Sequence, residues 1–390
     1  MVTNHRAVLF IHIIMIEQLF FELIQIAIGN RVCLSHSPTA EEWKALYDMA
    51  KKQSLVGVCF AGVQRLPEEE RPPEMLYLTW IGMAAKIQQR NEVVNAQCVE
   101  VQQMIEKAGF RTYIMKGQGN SALYKVSEGS KFQDVSGHSD LSLLRQSGDI
   151  DIYLEGGFEK VNAFVQRTCP TKEINELEIH YHCLLDTEVE IHYRPFIMRN
   201  PFKNRKLQRF FAMEGEKCFE NKTALSNGVG EIAVPTTTFN LVHQMVHIYH
   251  HLLIGGVGMR QLMDYYFVLR SSYANDDANA NVLRIISGLG LNRFGSALMW
   301  VLGEVFGLER SFMLWEPNEE DGRFLLNEVV LSGNFGNYDE RLPQHRNKWQ
   351  SFWMLSVHNL RLFRFTYDDW FWGPLWRIYH FAWRKIKGFE

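Results

Sequence analysis

A chain of 390 residues with 46% hydrophobic and 13% aromatic content has the apolar surface for a sizeable core and the length for about two or three packed units, so disorder is excluded as its general state. Its formal net charge of −3 creates no global field to recruit nucleic acid or an anionic membrane, and any basic surface must be local. The six cysteines, Cys33, Cys59, Cys98, Cys169, Cys183 and Cys218, form neither a CxxC pair nor a dense framework; they read as reduced, mostly buried thiols, which favours the cytoplasm.

In chain order, "AVLFIHIIMI" after Arg6 looks like the apolar part of a signal peptide. Glu17, Gln18, Glu22 and Gln25 interrupt it before the ~20 residues a spanning helix needs, and no small-residue cleavage site follows. Ile16, Leu19, Phe20, Leu23, Ile24 and Ala27 instead recur at helical spacing and predict an amphipathic helix packed on the domain. Ser37 or Thr39 can cap a second helix carrying Trp43, Leu46 and Met49. "LPEEERPPEM" breaks the pattern, and a further helical segment runs from Met75 to Ala108. Residues 1–108 are thus expected to form an N-terminal helical region.

"RTYIMKG" reads as a short strand ending at a glycine, with a helical turn in "NSALYKV". The Ser-, Gly- and Asp-rich stretch from Ser127 to Leu144 reads as a mobile loop, expected to act as a lid. "GDIDIYL" is a strand, Phe158 to Arg167 a helix, and "ELEIHYHCLL" and "EVEIHYRPF" two strands joined around Asp186 and Thr187. A two-residue loop there would put Glu190 opposite Cys183, and a three-residue loop would pair His182 with His192. The α/β core is expected over 109–235 and a C-terminal helical region over 236–390.

The chemistry centres on "LRQSGDIDIYL". The period of a strand puts Asp149 and Asp151 on one face and Ile150 and Ile152 on the other. Two carboxylates this close repel unless a cation lies between them, and oxygen ligands beside a phosphate-bearing substrate are what Mg²⁺ uses. Removing either aspartate should therefore relieve repulsion and leave the metal-free fold at least as stable. Glu190, flanked by the core residues Val189 and Ile191, offers a third acid; Glu188 competes for the role. In "IMKGQG", Lys116, Gly117 and Gly119 suit close approach to a triphosphate, although no GK[ST] of a P-loop follows.

Together, strand-KG-helix, "RQSGDID" and a strand with "EIH" resemble the polymerase-β-like nucleotidyltransferase superfamily. From about Met15 to "GMRQLMDYYFVL" the chain resembles an uncharacterised bacterial nucleotidyltransferase family of that superfamily, with a longer segment between Tyr124 and Arg145. The resemblance implies an α+β fold, a polymerase-β-like core with a mixed sheet between helical flanks. It implies transfer of a nucleoside monophosphate from a nucleoside triphosphate to a hydroxyl of an acceptor, with release of pyrophosphate. Mg²⁺, or Mn²⁺, would be held by Asp149, Asp151 and Glu190, with Glu190 also accepting the acceptor's proton. Lys116 and Arg145 would contact phosphates, and Gly117, Ser147 and Gly148 would shape the nucleotide site. Two rivals stand beside this reading: a non-catalytic nucleotide- or partner-binding protein on the same fold, and a nucleic-acid-binding module.

Further on, "LVHQMVHIYHHLL" places His243, His247, His250 and His251 on one helical face. No HExxH zinc motif is present, and hydrogen-bonded histidines in a wall are expected. His192, His247, Arg260 and Asp264 are candidate acceptor-site residues, with Arg260 and Asp264 spaced for a helical ion pair. A zinc cluster of His180, His182 and His192 with Glu190 is a minor alternative. Arg199, Lys203, Arg205, Lys206 and Arg209 could meet phosphate or nucleic acid, but a solvated basic face is favoured. In the tail, Pro374 is expected to start a helix whose stripe Leu375, Ile378, Tyr379, Ala382, Trp383 and Ile386 docks on the protein, with peripheral membrane contact as the alternative.

Overall fold

The computed structural model describes residues 2–125, 140–272, 276–334 and 348–387; most of the expected lid, residues 127–139, lies outside them. The fold is mixed α+β. Four helices come first: α1 (Val2–Ala27), α2 (Ala40–Lys52), α3 (Val56–Arg65) and α4 (Glu74–Lys107). Thr39 caps α2 in a capping box, with its Oγ1 accepting from Glu42 N at 3.2 Å and its own N donating to Glu42 Oε2 at 2.7 Å. The α1 stripe Leu19, Phe20, Leu23, Ile24 and Ala27 is fully buried. It packs against α3 and against α11 (Asn292–Phe306), so the N-terminal helix is built into the C-terminal helices.

The central segment supplies β1 (Thr112–Ile114), the single turn α5 (Gln118–Ser121), β2 (Ile150–Leu154), α6 (Gly157–Thr168), β3 (Glu178–His180), β4 (Val189–His192) and α7 (Pro201–Cys218). The sheet order is β1-β2-β4-β3, with β2 and β4 parallel and both outer pairs antiparallel. A small hairpin of β5 (Lys222–Ala224) and β6 (Glu231–Ala233) follows. Alternation makes one sheet face apolar: Ile150, Ile152, Leu154, Ile179, Val189 and Ile191 pack on Val94, Cys98, Val101 and Ile105 of α4 and on Val161, Phe164 and Val165 of α6. Each such side chain contributes about 1.5–3 kcal/mol by leaving water. The opposite face is therefore the one on which polar groups can stand.

Helices α8 (Thr237–Ile254), α9 (Met259–Ser271), α10 (Asp276–Leu289), α11, α12 (Glu319–Ser332), α13 (Lys348–Arg361) and α14 (Phe363–Lys387) complete the fold. No helix among the described residues is long and apolar enough to cross a membrane. All six cysteines are free; Cys33 is exposed, against the expectation of burial.

Three expectations are corrected here. The β3–β4 register pairs His180 with Glu190 and Glu178 with His192, so neither tight-hairpin alternative forms. Asp186 and Thr187 are drawn away to α4 instead: Arg90 Nη1 donates to Asp186 Oδ2 at 2.9 Å, Arg90 Nη2 to Thr187 Oγ1 at 2.6 Å and Gln97 Nε2 to Asp186 Oδ1 at 2.7 Å. Pro374 lies inside α14 rather than at its start, and the non-helical backbone falls at Thr366 (φ −125°, ψ 23°). The segment before the proline is held helical by its own attachments, among them Asp369 accepting from Tyr249 Oη at 2.5 Å. Finally, Leu375, Ile378, Tyr379 and Ile386 stay exposed. Of the expected stripe, Trp383 does dock, edge-on to Phe158, and Trp372 outside the stripe adds a contact edge-on to Phe202.

Candidate active site

The parallel register sets Asp151 directly opposite Glu190, so their side chains share the polar face of the sheet. His192 follows on the same face of β4, and its Nε2 lies 3.0 Å from Asp151 Oδ1 and 3.1 Å from Glu178 Oε2 on β3. Asp149, just before β2, is exposed. Glu188, the competing acid, pairs with His180 Nδ1 at 2.5 Å, while Glu190 stands beside Asp151. Lys116 follows the end of β1 with its Nζ 2.5 Å from Asp151 Oδ1 and 3.5 Å from His247 Nε2. Gly117 turns the chain there at φ 54°, where a side chain would be strained. A cavity of about 430 Å³ opens over these groups, with Asp149, Asp151, Glu178, Glu190, Lys116, His192, His247 and Arg260 in its wall.

The charges are unevenly matched. Burial pushes the Asp151 carboxyl up, but Lys116 and His192 outweigh it and hold this group well below the usual carboxylate range. Asp149 is raised, first by the charge of Asp151 and then by burial, which outweigh the opposing pull of Lys116 and Arg260. Burial lifts Glu190 to about 7. His192 is pushed down by burial, yet Glu178 and Asp151 raise it to about 9. The two aspartates are thus not equivalent: Asp149 is the repelled group, and Asp151 is a buried counterion whose removal strands two cations. The expectation that substitution leaves the fold as stable is thus kept for Asp149, while for Asp151 a loss is expected instead.

Cation fit can be judged from these groups. Ligand atoms of Asp151, Glu190 and His192 lie within 4.8 Å of one another, as do those of Glu178, His180 and Glu190. Asp149, which belongs to neither cluster, is raised first by the charge of Asp151, a repulsion that a divalent ion relieves; oxygen-rich sets suit Mg²⁺ while the added imidazole also suits Mn²⁺. His182 stands apart, exposed beside Glu173, so the three-histidine arrangement does not assemble.

Arg145 lies in the cavity wall. Its fork is engaged by Asp264, Nε to Oδ1 and Nη2 to Oδ2 both at 2.7 Å, and Tyr124 Oη donates to the same Oδ1 at 2.6 Å. Asp264 thus braces one edge of the Arg145 guanidinium, while Nη1 reaches Gln146 O at 3.4 Å on the cavity side. Asp264 is correspondingly not the helical partner of Arg260. Arg260 Nη1 donates to Gln146 O at 2.9 Å and crosses Gly148, where a Cβ would lie 3.7 Å from it. Ser147 is half-buried and outside the cavity wall. On α8, His243 is buried with Nε2 on Pro195 O at 3.2 Å, while His247, His250 and His251 line the cavity.

Sequence reading overlooked the residues that hold these turns. Asn91 of α4 donates Nδ2 to Leu143 O and Arg145 O, both at 2.8 Å, and its Oδ1 accepts from Gln118 Nε2 at 3.2 Å. One amide thereby ties the KG turn to the loop before Asp149. Glu178 was visible as an alternating position in "ELEIH", but only the true register brings it to His192. Glu176 and His380 also line the cavity, and nothing in the local sequence around His380 signals it.

A family model described as "Uncharacterised nucleotidyltransferase" matches residues 39–135 and 141–307. The chain belongs to this nucleotidyltransferase family. No curated protein and no solved structure matches it. The match takes in the nucleotidyltransferase motifs from Lys116 to Asp264 and breaks at residues 136–140, within the long segment between Tyr124 and Arg145. It begins later than the resemblance drawn from Met15, and it ends before α12, α13 and α14, so His380 reaches the cavity from outside the matched stretch.

Proposed function

We propose that the protein is a Mg²⁺-dependent nucleotidyltransferase with a polymerase-β-like core, moving a nucleoside monophosphate from a nucleoside triphosphate to an acceptor hydroxyl. The observation that carries this reading is the convergence of Asp149, Asp151 and Glu190 on one cavity that also holds Lys116. Residues 109–235 form the catalytic core between helical regions 1–108 and 236–390, supported by the sheet falling wholly within the middle stretch.

Asp149, Asp151 and Glu190 would hold the metal, which when bound supplies countercharge to the triphosphate and the departing pyrophosphate. Lys116, whose Nζ now lies on Asp151, would contact phosphate. The backbone at Gly117 and Gly148 would give phosphates close approach, and Arg260 is a further guanidinium set over that turn beside Arg145. Glu190 takes the proton of the attacking hydroxyl. The work is positioning and charge stabilisation by groups already in place.

Glu190→Gln keeps the shape of the side chain and removes its charge. With Mg²⁺, a nucleoside triphosphate and candidate acceptors, pyrophosphate release should fall by about 100-fold or more relative to wild type. Wild-type release that persists unchanged in this variant would remove Glu190 from the mechanism.

A further inference from the structure

A second cavity of about 620 Å³ lies against the first, and Glu176 and His380 line both. Its volume falls within the range of small-molecule sites, about 300–1,000 Å³. One wall comes from α14, where Trp376, His380 and Trp383 recur at i, i+4 and i+7 with near-parallel rings, 4.8 and 5.9 Å between centroids. Rings that stack so closely on one another leave no slot for a planar base between them. They offer instead a continuous apolar surface with polar tips, the complement of a saturated ring bearing hydroxyls. Tyr193 and Phe158, edge to face at 5.1 Å, add to the wall.

The polar groups in this cavity favour an anion. Arg199 Nη1 is buried without a hydrogen-bond partner, an arrangement that costs free energy unless a ligand completes it. It lies over Gly373, where a Cβ would stand 3.4 Å from it, so the missing side chain makes room for the guanidinium against α14. At the junction, His380 Nε2 and Glu176 Oε2 are 2.5 Å apart, yet the angles form no hydrogen bond and both atoms are buried. These two groups are placed to turn toward a hydroxyl between the cavities. Lys387 is engaged by Glu159 at 3.3 Å, which leaves Arg199 and Arg194 as the cations facing an incoming group.

We propose that this second cavity is the acceptor site and that it takes an anionic pyranoside, a hexose carrying a phosphate or carboxylate group. The inference rests on nucleotidyl transfer in the first cavity. The sugar's anion meets Arg199 and its ring lies on the Trp376 wall. One hydroxyl passes Glu176 and His380 to the α-phosphorus. There a new bond forms between the hydroxyl oxygen and phosphorus, the bond from phosphorus to the bridging oxygen breaks with its electron pair leaving on pyrophosphate, and the hydroxyl proton goes to Glu190.

Isothermal titration of the full chain without metal or triphosphate separates the two cavities, using hexose phosphates, hexuronic acids, neutral hexoses and UMP as probes. At least one anionic hexose should bind, about tenfold or more tighter than its neutral counterpart. Arg199→Gln should weaken that binding about tenfold or more while Arg199→Lys retains most of it, and Asp149→Asn should leave it within about twofold. Trp376→Leu, on a half-buried position, should weaken neutral and anionic hexoses alike and covers the case in which Arg199→Gln does not fold. No binding by any anionic hexose, preference for UMP, or affinity unchanged in both Arg199→Gln and Trp376→Leu would overturn the proposal. Hexose binding without pyrophosphate release from any nucleoside triphosphate in Mg²⁺ would instead overturn nucleotidyl transfer and with it the acceptor role, leaving a sugar-binding cavity.

Discussion

Asp149 and Asp151 are alike in the sequence and opposite in their surroundings. Asp149 is exposed and raised mainly by its neighbour's charge; Asp151 is buried between Lys116 and His192. At pH 7 without metal, Asp149→Asn should hold or slightly raise stability, by no more than about 0.5 kcal/mol given its exposure to solvent. Asp151→Asn should cost about 3 kcal/mol, because it leaves buried cations without their counterion. Paired thermal melts check this; equal shifts in the two variants would contradict the asymmetry. Asp151 was legible as an acid on the polar face, but its burial was not, since burial depends on Lys116 and His192 arriving from other strands.

Helix α8 carries a pH response of its own. Burial holds His243 and His251 down to about 3, and His247 and His250 are held well below the ordinary histidine value by burial first and neighbouring cations second. Above the unfolded value near 6.5 both states are neutral and the histidines contribute no pH dependence. As pH falls from about 6.5 toward 3 the unfolded chain takes up protons that the folded chain refuses, so stability is lost over that window. At pH 5 the loss should be on the order of 2 kcal/mol for each of His243 and His251. Urea unfolding at pH 7 and pH 5 of Glu190→Gln, which removes the opposing uptake by that raised carboxyl, measures it, and a midpoint that stays level there would show that these imidazoles accept protons in place. The histidine spacing was plain in the sequence. Which histidines face Pro195 and which face the cavity depends on how α8 lies over the sheet, and that information is held in contacts far along the chain.

Across the whole molecule, the site gathers short motifs that lie far apart: Lys116 just after β1, Asp149 just before β2 and Asp151 on it, Glu190 on β4, Arg260 on α9 and His380 on α14. The strand motifs were readable because alternation and glycine placement act over a few residues. The strut from Arg145 to Asp264, the amide of Asn91 and the α14 aromatics were not, because each answers to a partner more than fifty residues away. Pro374 misled for the same reason, as tertiary attachment kept the helix continuous through it. If Asp149, Asp151 and Glu190 together hold a divalent ion that brings a triphosphate to Lys116, triphosphate binding must depend on both the ion and these acids. Titration of nucleoside triphosphates into wild type and Asp149→Asn, each with Mg²⁺ and with EDTA, tests it most directly. Wild type should bind in Mg²⁺, with binding at least about 100-fold weaker in EDTA and in Asp149→Asn, the variant still folded by its melt. Equal binding in all four conditions would contradict it.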